Sequence, residues 1–176
     1  MFDREKFKRL VHYVIAQAGS HPGFGATKLN KVLWFADARQ WTLTGKSITG
    51  ATYVRQQFGP VPQQIMPVRS ELEGEGAIKC YSSKSDYEGW RFKSLRPAPA
   101  TAFSADELQL VRHWIKIIDE DHTAETISEL SHDYGWEIAA MGETLPFHAV
   151  LAGRRRAPTD QELAWGRDVA ARVGAA

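Results

Sequence analysis

The sequence is poor in cysteine, and Cys80 is the only one among its 176 residues. A single cysteine excludes an internal disulfide and is typical of proteins that stay in a reducing compartment. Long apolar runs are also lacking, because no stretch approaches the length that crosses a bilayer. The chain begins with mixed charges rather than with the basic segment and apolar run of a signal peptide. We therefore expect a cytoplasmic protein that is neither secreted nor inserted in a membrane.

The motifs of metal and nucleotide enzymes are absent as well. The six histidines are scattered, and the sequence contains no His-Glu-x-x-His, no Cys-x-x-Cys and no glycine-rich phosphate loop. Ser131, His132 and Asp133 are the residue types of a nucleophilic triad, but adjacency in sequence does not bring such groups together. A capping or packing role for His132 is the simpler interpretation. We expect a protein that is not an enzyme, with no catalytic residue, no metal site and no cofactor.

An excess of charge of either sign is missing too. The chain has 22 Lys and Arg residues against 21 Asp and Glu residues, which leaves a net charge of +1. So small a net charge creates no overall field for a polyanion, although local basic patches are compatible with it. The length of the chain and its apolar content of 43% suit one globular domain over residues 1–176.

Residues 26–44 have the pattern of an amphipathic helix with an unusual second stripe. At about 100° per residue, one arc of the helix is apolar, as core packing requires; its members are Leu29, Val32, Leu33, Ala36 and Leu43. A neighbouring arc combines two tryptophans with an amide and a carboxylate, namely Asn30, Trp34, Asp37 and Trp41. Two interpretations stay open. Either the tryptophans belong to the core while the polar pair bonds a nearby turn, or the stripe is a recognition face.

The stretch after this helix predicts a strand and a proline-rich turn. Gly45 is suited to end the helix, and the β-branched and aromatic residues from Thr52 to Gln57 favour a strand. The sequence Gly59-Pro60-Val61-Pro62 cannot continue that strand, and we expect a turn there that starts another helix. Pro67 lies inside this predicted helix and indicates a kink or a break near Ile65.

The order of the predicted elements indicates an α+β protein that is mostly helical. Two short segments, residues 77–81 and 89–95, read as a hairpin that follows the third helix. The order helix, helix, strand, helix, strand, strand is typical of a winged helix. We therefore predict a winged-helix-like half over residues 4–96, in which three helices pack with a small antiparallel sheet or hairpin.

The rest of the chain is predicted to be a connector and a helical half. Prolines stiffen the connector over residues 97–103, and the helical half covers residues 104–176 and packs against the first half. Two capping boxes each predict the start of a helix in this half; they are Ser104 with Glu107 and Thr159 with Glu162.

Several blocks of the sequence, taken together and in order, resemble one protein family. The blocks are Lys28-Leu29-Asn30-Lys31-Val32-Leu33-Trp34-Phe35-Ala36-Asp37, Gly45-Lys46-Ser47-Ile48-Thr49-Gly50, Tyr53-Val54, Phe58-Gly59-Pro60-Val61-Pro62, and Ser128-Glu129-Leu130-Ser131-His132 with Trp136. This pattern resembles the Panacea domain of SocA-type antitoxins, also called GepA-like phage-associated proteins. The resemblance spans roughly residues 8 to 142, and it departs from the family at Pro67 and in the Arg-rich tail at 154–156.

The resemblance implies a non-catalytic antitoxin that binds the toxin encoded beside it and neutralises it by direct protein contact. For some members of the family it also implies an adaptor, which delivers the toxin to an ATP-dependent protease such as ClpXP. The expected partners are therefore a cognate toxin and a protease of that type.

We place the docking surface for the toxin, as a hypothesis, on the helix stripe and on the proline-rich turn. Its members are Asn30, Trp34, Asp37, Trp41, Arg55, Phe58, Gly59, Pro60, Val61 and Pro62. Phe58 is expected to pack beneath the turn. Arg55 is expected to pair either with Asp37 or with an acidic group of the toxin.

A winged-helix regulator that binds DNA is the alternative. In that module the third helix reads bases and the hairpin contacts phosphates; the side chains concerned are Gln63, Gln64, Arg69, Lys79, Lys84, Arg91 and Lys93. Against this, the same helix carries Glu71 and Glu73, and the chain lacks the basic excess of nucleic-acid binders. Nucleic acid is therefore the less favoured partner.

Overall fold

The computed structural model describes residues 1–82 and 89–151, together with residues 161, 164 and 167. The helices are α1 (Arg4–Ala18), α2 (Ala26–Thr44), α3 (Ile65–Gly74), α4 (Ala105–Glu120), α5 (Ala124–Leu130) and α6 (Tyr134–Ile138), followed by a 3-10 helix, Phe147–Leu151. The strands are β1 (Tyr53–Gln56), β2 (Gly59–Pro62), β3 (Ile78–Ser82), β4 (Trp90–Ser94) and β5 (Thr144–Leu145). The start of the predicted C-terminal helix at Thr159 and the tail at 154–156 lie outside the described residues.

The strands form two separate antiparallel sheets, so the protein is a mixed α/β fold that is mostly helical. β1 lies between β2 and β5, whereas β3 pairs with β4 alone. In a winged helix, the first strand is expected to join the later hairpin. Here β1 pairs with its neighbour β2 and with β5, which comes some 90 residues later in the chain. The hairpin of residues 77–95 is confirmed, but the winged-helix arrangement is not.

The proline-rich segment is a strand, and the prediction of a turn at Gly59-Pro60-Val61-Pro62 was wrong. β2 pairs with β1 in a register that places Pro62 opposite Tyr53 and Pro60 opposite Arg55. Because β2 is an edge of its sheet, each proline can turn its nitrogen away from β1 without loss of a ladder hydrogen bond. The turn itself is shorter and lies at residues 57 and 58.

Pro67 does not interrupt a helix, because α3 begins only at Ile65. As the third residue of α3, Pro67 lies in the first turn, where a backbone N–H has no partner within the helix. The break expected near Ile65 is therefore the start of the helix. Other local signals are confirmed: Ser104 and Glu107 form the capping box of α4, and Gly45 ends α2 with a left-handed φ of 74°.

The core lies around α2, which packs against α1, α4, α5 and β2. Leu29, Val32, Leu33 and Ala36 are fully buried, as the apolar arc of this helix predicted. Leu43 was expected on the same arc but is 59% exposed, because it lies in the last turn of α2, beyond the packed part of the helix. In the part of the chain that is described, no helix is both long and apolar enough to span a membrane.

Candidate functional site

A buried carboxylate joins α2 to the segment that follows it. Asp37 is fully buried, and its oxygens accept hydrogen bonds from the Thr49 N–H at 3.0 Å, the Thr49 hydroxyl at 2.7 Å and the Tyr53 hydroxyl at 2.8 Å. Three donors therefore compensate the cost of removing this carboxylate from water. Asp37 thus holds the segment up to Tyr53 against the helix, as one of the two interpretations of the stripe required, but the buried Oδ1 of Asn30 has no hydrogen-bond partner among the described residues.

Burial and hydrogen bonding act in opposite directions on this carboxylate. Burial raises the pKa of Asp37, while the hydrogen bonds from Thr49 and Tyr53 lower it. Burial raises the pKa of Tyr53 well above its usual range, and the neighbouring Asp37 raises it further. The phenol therefore keeps its proton and serves as a donor.

Aromatic rings surround the same carboxylate. Trp34 is only 2% exposed, and its ring centroid lies 5.1 Å from that of Tyr53 and 5.5 Å from that of Phe147. Trp41 also stacks on Phe147, with ring centroids 6.4 Å apart. Trp34 and Asp37 are thus core residues, while Asn30 and Trp41 are half-buried. Phe147, whose ring contacts both tryptophans, was not singled out by the sequence.

The β1–β2 turn is anchored by hydrogen bonds from one side chain of α5 and one of α6. The Ser128 hydroxyl donates to the Phe58 carbonyl at 2.7 Å, and the Trp136 indole N–H donates to the Gln56 carbonyl at 3.1 Å. The Phe58 side chain is 61% exposed. The expectation that Phe58 packs beneath the turn was therefore wrong, because its backbone is anchored while its ring faces solvent.

Gly59 allows α2, β2 and α5 to meet at one point. Its φ is +100°, in the region that favours glycine. A Cβ at this position would also overlap the Lys31 ammonium and the Ser131 hydroxyl. Two independent constraints, one of conformation and one of space, therefore require glycine here. Gly59, Pro60 and Pro62 are buried, and Val61 is half-buried.

Lys31 is a buried lysine beside β2. It is 1% exposed, and among the described residues its side-chain nitrogen makes one hydrogen bond, to the Pro60 carbonyl, which is long at 3.4 Å. Burial lowers the pKa of Lys31 to about 7. A lysine with so low a pKa is only partly charged at neutral pH. No sequence pattern singled out Lys31, since lysine is almost never fully buried in proteins.

Arg55 packs on an aromatic ring instead of pairing with Asp37. Its guanidinium carbon lies 4.3 Å from the Trp136 ring centroid. The His132 imidazole stacks on the same indole, with ring centroids 3.6 Å apart and planes at 7°. The predicted Arg55–Asp37 pair is therefore wrong, since Asp37 is occupied by Thr49 and Tyr53. His132 has a packing role, as its simpler interpretation expected.

We call the group formed by Arg55, Phe58, His132 and Trp136 the hairpin-tip surface. Burial lowers the pKa of His132, and the positive charges of Lys31 and Arg55 lower it further. The sequence had one signal for this region, because the block from Ser128 to His132 with Trp136 is part of the pattern that resembles the family.

Of the side chains assigned to DNA reading, Arg69 is buried, whereas Lys79 and Lys93 are exposed and lie opposite each other on the β3–β4 hairpin. Arg69 is 6% exposed, and its guanidinium lies over the rings of Trp90 at 5.3 Å and Phe92 at 4.6 Å. It joins α3 to the β3–β4 hairpin and is not available to bases, so this part of the DNA-binding interpretation was wrong. Gln63 and Gln64 are exposed, and Lys84 lies outside the described residues.

The acidic and histidine side chains do not gather into a metal site in the described part of the chain. Within residues 1–82 and 89–151, no group of three or more His, Cys, Asp or Glu side chains has the geometry to hold a metal ion.

The fold and its sites define a small, mostly helical α/β domain with a buried carboxylate centre and an exposed hairpin tip. The family model described as "Antitoxin SocA-like, Panacea domain" matches residues 29–137, from α2 to α6. The chain therefore belongs to the family of SocA-like antitoxins with a Panacea domain, and this membership supports an antitoxin role. No curated protein and no solved structure matches the chain. The matched range contains the whole hairpin-tip surface, whereas Phe147 lies beyond it.

Proposed function

We propose that this protein is a cytoplasmic, non-catalytic antitoxin that neutralises a cognate toxin by direct protein contact. Family membership supports the antitoxin class. The observation that carries the mode of action is Phe58, a large apolar side chain 61% exposed at the tip of an anchored turn. Aromatic side chains and arginine are over-represented among residues that dominate the energy of protein interfaces.

The turn that presents Phe58 is already ordered without a partner. Hydrogen bonds from Ser128 and Trp136 hold the carbonyl group of Phe58 in the turn and that of Gln56 at the end of β1. Binding therefore costs little of the entropy that ordering a flexible loop would require. Arg55 belongs to the same hairpin as Phe58, and Trp136, which contacts Arg55 and bonds the Gln56 carbonyl, adds an indole to this region.

The buried part of the predicted docking set supports this surface without touching the toxin. Trp34, Asp37, Pro60 and Pro62 are buried and fix the position of β1 and β2 relative to α2. Asn30, Trp41 and Val61 are half-buried and stand at the edge of the same region. Substitution of the buried members is expected to act on folding rather than on contact energy.

Degradation of the toxin is part of the same proposal. After binding, the antitoxin delivers the toxin to an ATP-dependent protease of the ClpXP type, as the family resemblance implies. The candidate protease-binding segment begins at residue 153, which lies outside the described residues. DNA binding is the less favoured function, because Arg69 is buried against the rings of Trp90 and Phe92 and cannot reach bases.

Co-expression with the product of the adjacent open reading frame tests the proposal. A tagged antitoxin is expected to co-purify with that product and to restore growth of cells that express it. Loss of the product from wild-type cells, but not from cells without the protease, would support the adaptor step. Phe58→Ala is expected to abolish rescue, whereas Leu43→Ala, which removes another exposed apolar side chain, is not.

Neither co-purification nor rescue would be seen if the protein acted on another partner. In that case, retention of the protein on duplex DNA with a steep dependence on salt would favour the DNA-binding alternative.

A further inference from the structure

The hairpin-tip surface contains an arginine with no acceptor. Within residues 1–82 and 89–151, the Arg55 side chain makes no hydrogen bond and no ion pair, and its buried Nε is unsatisfied. A guanidinium has five N–H donors, and a buried donor without a partner costs about 1–3 kcal/mol. Stacking on Trp136 contacts the face of the guanidinium and leaves its N–H edges free.

A second unsatisfied group lies on the same indole. The buried Nε2 of His132 has no hydrogen-bond partner among the described residues, and its ring contact there is the stack on Trp136. Trp136 is itself fixed by the hydrogen bond from its indole N–H to the Gln56 carbonyl. The imidazole and the guanidinium thus both stack on an indole whose own position is fixed, and this stacking orients Arg55.

Positive charges act more strongly than negative charges on the His132 side chain. Lys31 and Arg55 both act on His132 as positive charges, while Glu129 and Glu137 act on it more weakly as negative charges. In the part of the chain that is described, neither Lys31 nor Arg55 has a carboxylate within ion-pair distance. Among the described residues, therefore, no carboxylate neutralises either of these two cations.

We infer that Arg55 forms the seat for one carboxylate, the side chain of an Asp or Glu of the bound toxin, next to the turn that carries Phe58. This inference rests on the proposed function and names the chemistry of its interface. A carboxylate matches the fork of a guanidinium in two parallel hydrogen bonds, and stacking on an indole orients that fork before binding. The incoming acid supplies an acceptor to the Arg55 guanidinium, which has none among the described residues.

A single carboxylate suits this seat better than a polyanion does. Glu129 and Glu137 act on His132 as nearby negative charges, and the net charge of the chain is only +1. A phosphate backbone would bring repeated negative charges close to both glutamates. One acidic side chain satisfies the donors without that repulsion.

Calorimetric titration of the purified toxin, the product of the adjacent open reading frame, tests the inference. Arg55→Gln is expected to weaken binding by about 30-fold or more, as loss of one partner of a desolvated charge pair does. Arg39→Gln, which removes an exposed arginine from α2, is the matched control and is expected to bind like the wild type. Arg55→Lys keeps the charge but loses the planar fork of the guanidinium. Its affinity for the toxin should fall between that of the wild type and that of Arg55→Gln.

Charge reversal identifies the acidic partner. Arg55→Glu is expected to abolish binding, and replacement of one Asp or Glu of the toxin by Lys is expected to restore it. The wild-type affinity should also fall as sodium chloride is raised from 50 to 500 mM, to a larger extent than that of Arg55→Gln. Both comparisons require that each variant is folded, which is to be checked by circular dichroism.

The outcomes separate the inference from the proposed function. If toxin binds Arg55→Gln as tightly as the wild type, the carboxylate seat is overturned while the antitoxin function stands. The same holds if no acidic residue of the toxin rescues Arg55→Glu. If the wild-type chain forms no complex with the toxin, both the seat and the function are overturned.

Discussion

The hydroxyl of Tyr53 donates a hydrogen bond of 2.8 Å to the carboxylate of Asp37, and both groups are buried. This bond joins the first strand of the sheet to the helix at the centre of the core. It therefore fixes the base of the hairpin whose tip carries Phe58. The Thr49 hydroxyl and N–H bind the same carboxylate and make the link a network rather than a single contact.

Replacing Asp37 with Asn should destabilise the fold by about 1–3 kcal/mol. The amide nitrogen of Asn would face Thr49 or Tyr53, which are donors themselves. Tyr53→Phe removes one donor and should cost about 1 kcal/mol, because Thr49 still satisfies the carboxylate. Urea unfolding measures both values, and a smaller loss for Asp37→Asn than for Tyr53→Phe would contradict the network.

Gly59→Ala should destabilise the protein by more than about 2 kcal/mol. The new Cβ demands an unfavourable φ of +100° and overlaps Lys31 and Ser131. Gly74→Ala is the matched control, since Gly74 is the last residue of α3 and its Cβ would meet open space. We expect that control to be neutral or slightly stabilising by thermal unfolding, and equal losses for the two variants would count against the packing at Gly59.

Lys31 should make stability depend on pH above neutrality. Burial lowers its pKa to about 7 in the folded state, against an ordinary value of 10.5. Between these values the unfolded chain binds more protons than the folded one, so the free energy of unfolding rises with pH through this window. The penalty of burying the charge is fully present below pH 7.

Lys31→Met should therefore stabilise the protein most below pH 7, and the gain should shrink as pH rises toward 10.5. The change across this window is at most about 5 kcal/mol. Urea unfolding at several pH values measures it, with Lys116→Met, an exposed lysine of α4, as control. A difference from wild type that stays constant from pH 6 to pH 10 would show that Lys31 is charged throughout.

Trp34→Ala and Phe58→Ala should separate folding from binding. Trp34 is 2% exposed, and its truncation should cost about 3–5 kcal/mol of stability. Phe58 is 61% exposed, and its truncation should change stability by less than about 0.5 kcal/mol.

Toxin affinity should respond in the opposite order. Phe58→Ala should weaken binding by about 30-fold, as loss of a hot-spot residue does. Trp34→Ala, assayed at a temperature where it is folded, should bind within a few-fold of the wild type. A folded Phe58→Ala variant with wild-type affinity would place the docking surface elsewhere.

Local signals in the sequence were enough to locate most elements and the core face of α2. Ser104 with Glu107 marks the start of α4, and Gly45 marks the end of α2, because capping groups act within one turn of a helix. The sequence could not tell that the prolines at 60 and 62 form a strand. That outcome depends on the edge position of β2, which only the assembled sheet defines.

The sequence by itself determined the family of the protein, the β3–β4 hairpin, and most of the helices, with ends such as the start of α4 and the end of α2. Tertiary structure alone decided which polar and aromatic residues are buried and which face solvent. Arg55 meets Trp136, and Ser128 meets the Phe58 carbonyl some 70 residues away in sequence. Such contacts carry no periodic signal, because they arise when α5 and α6 pack against a distant turn. The buried charge of Lys31 and the exposed ring of Phe58 follow from that packing.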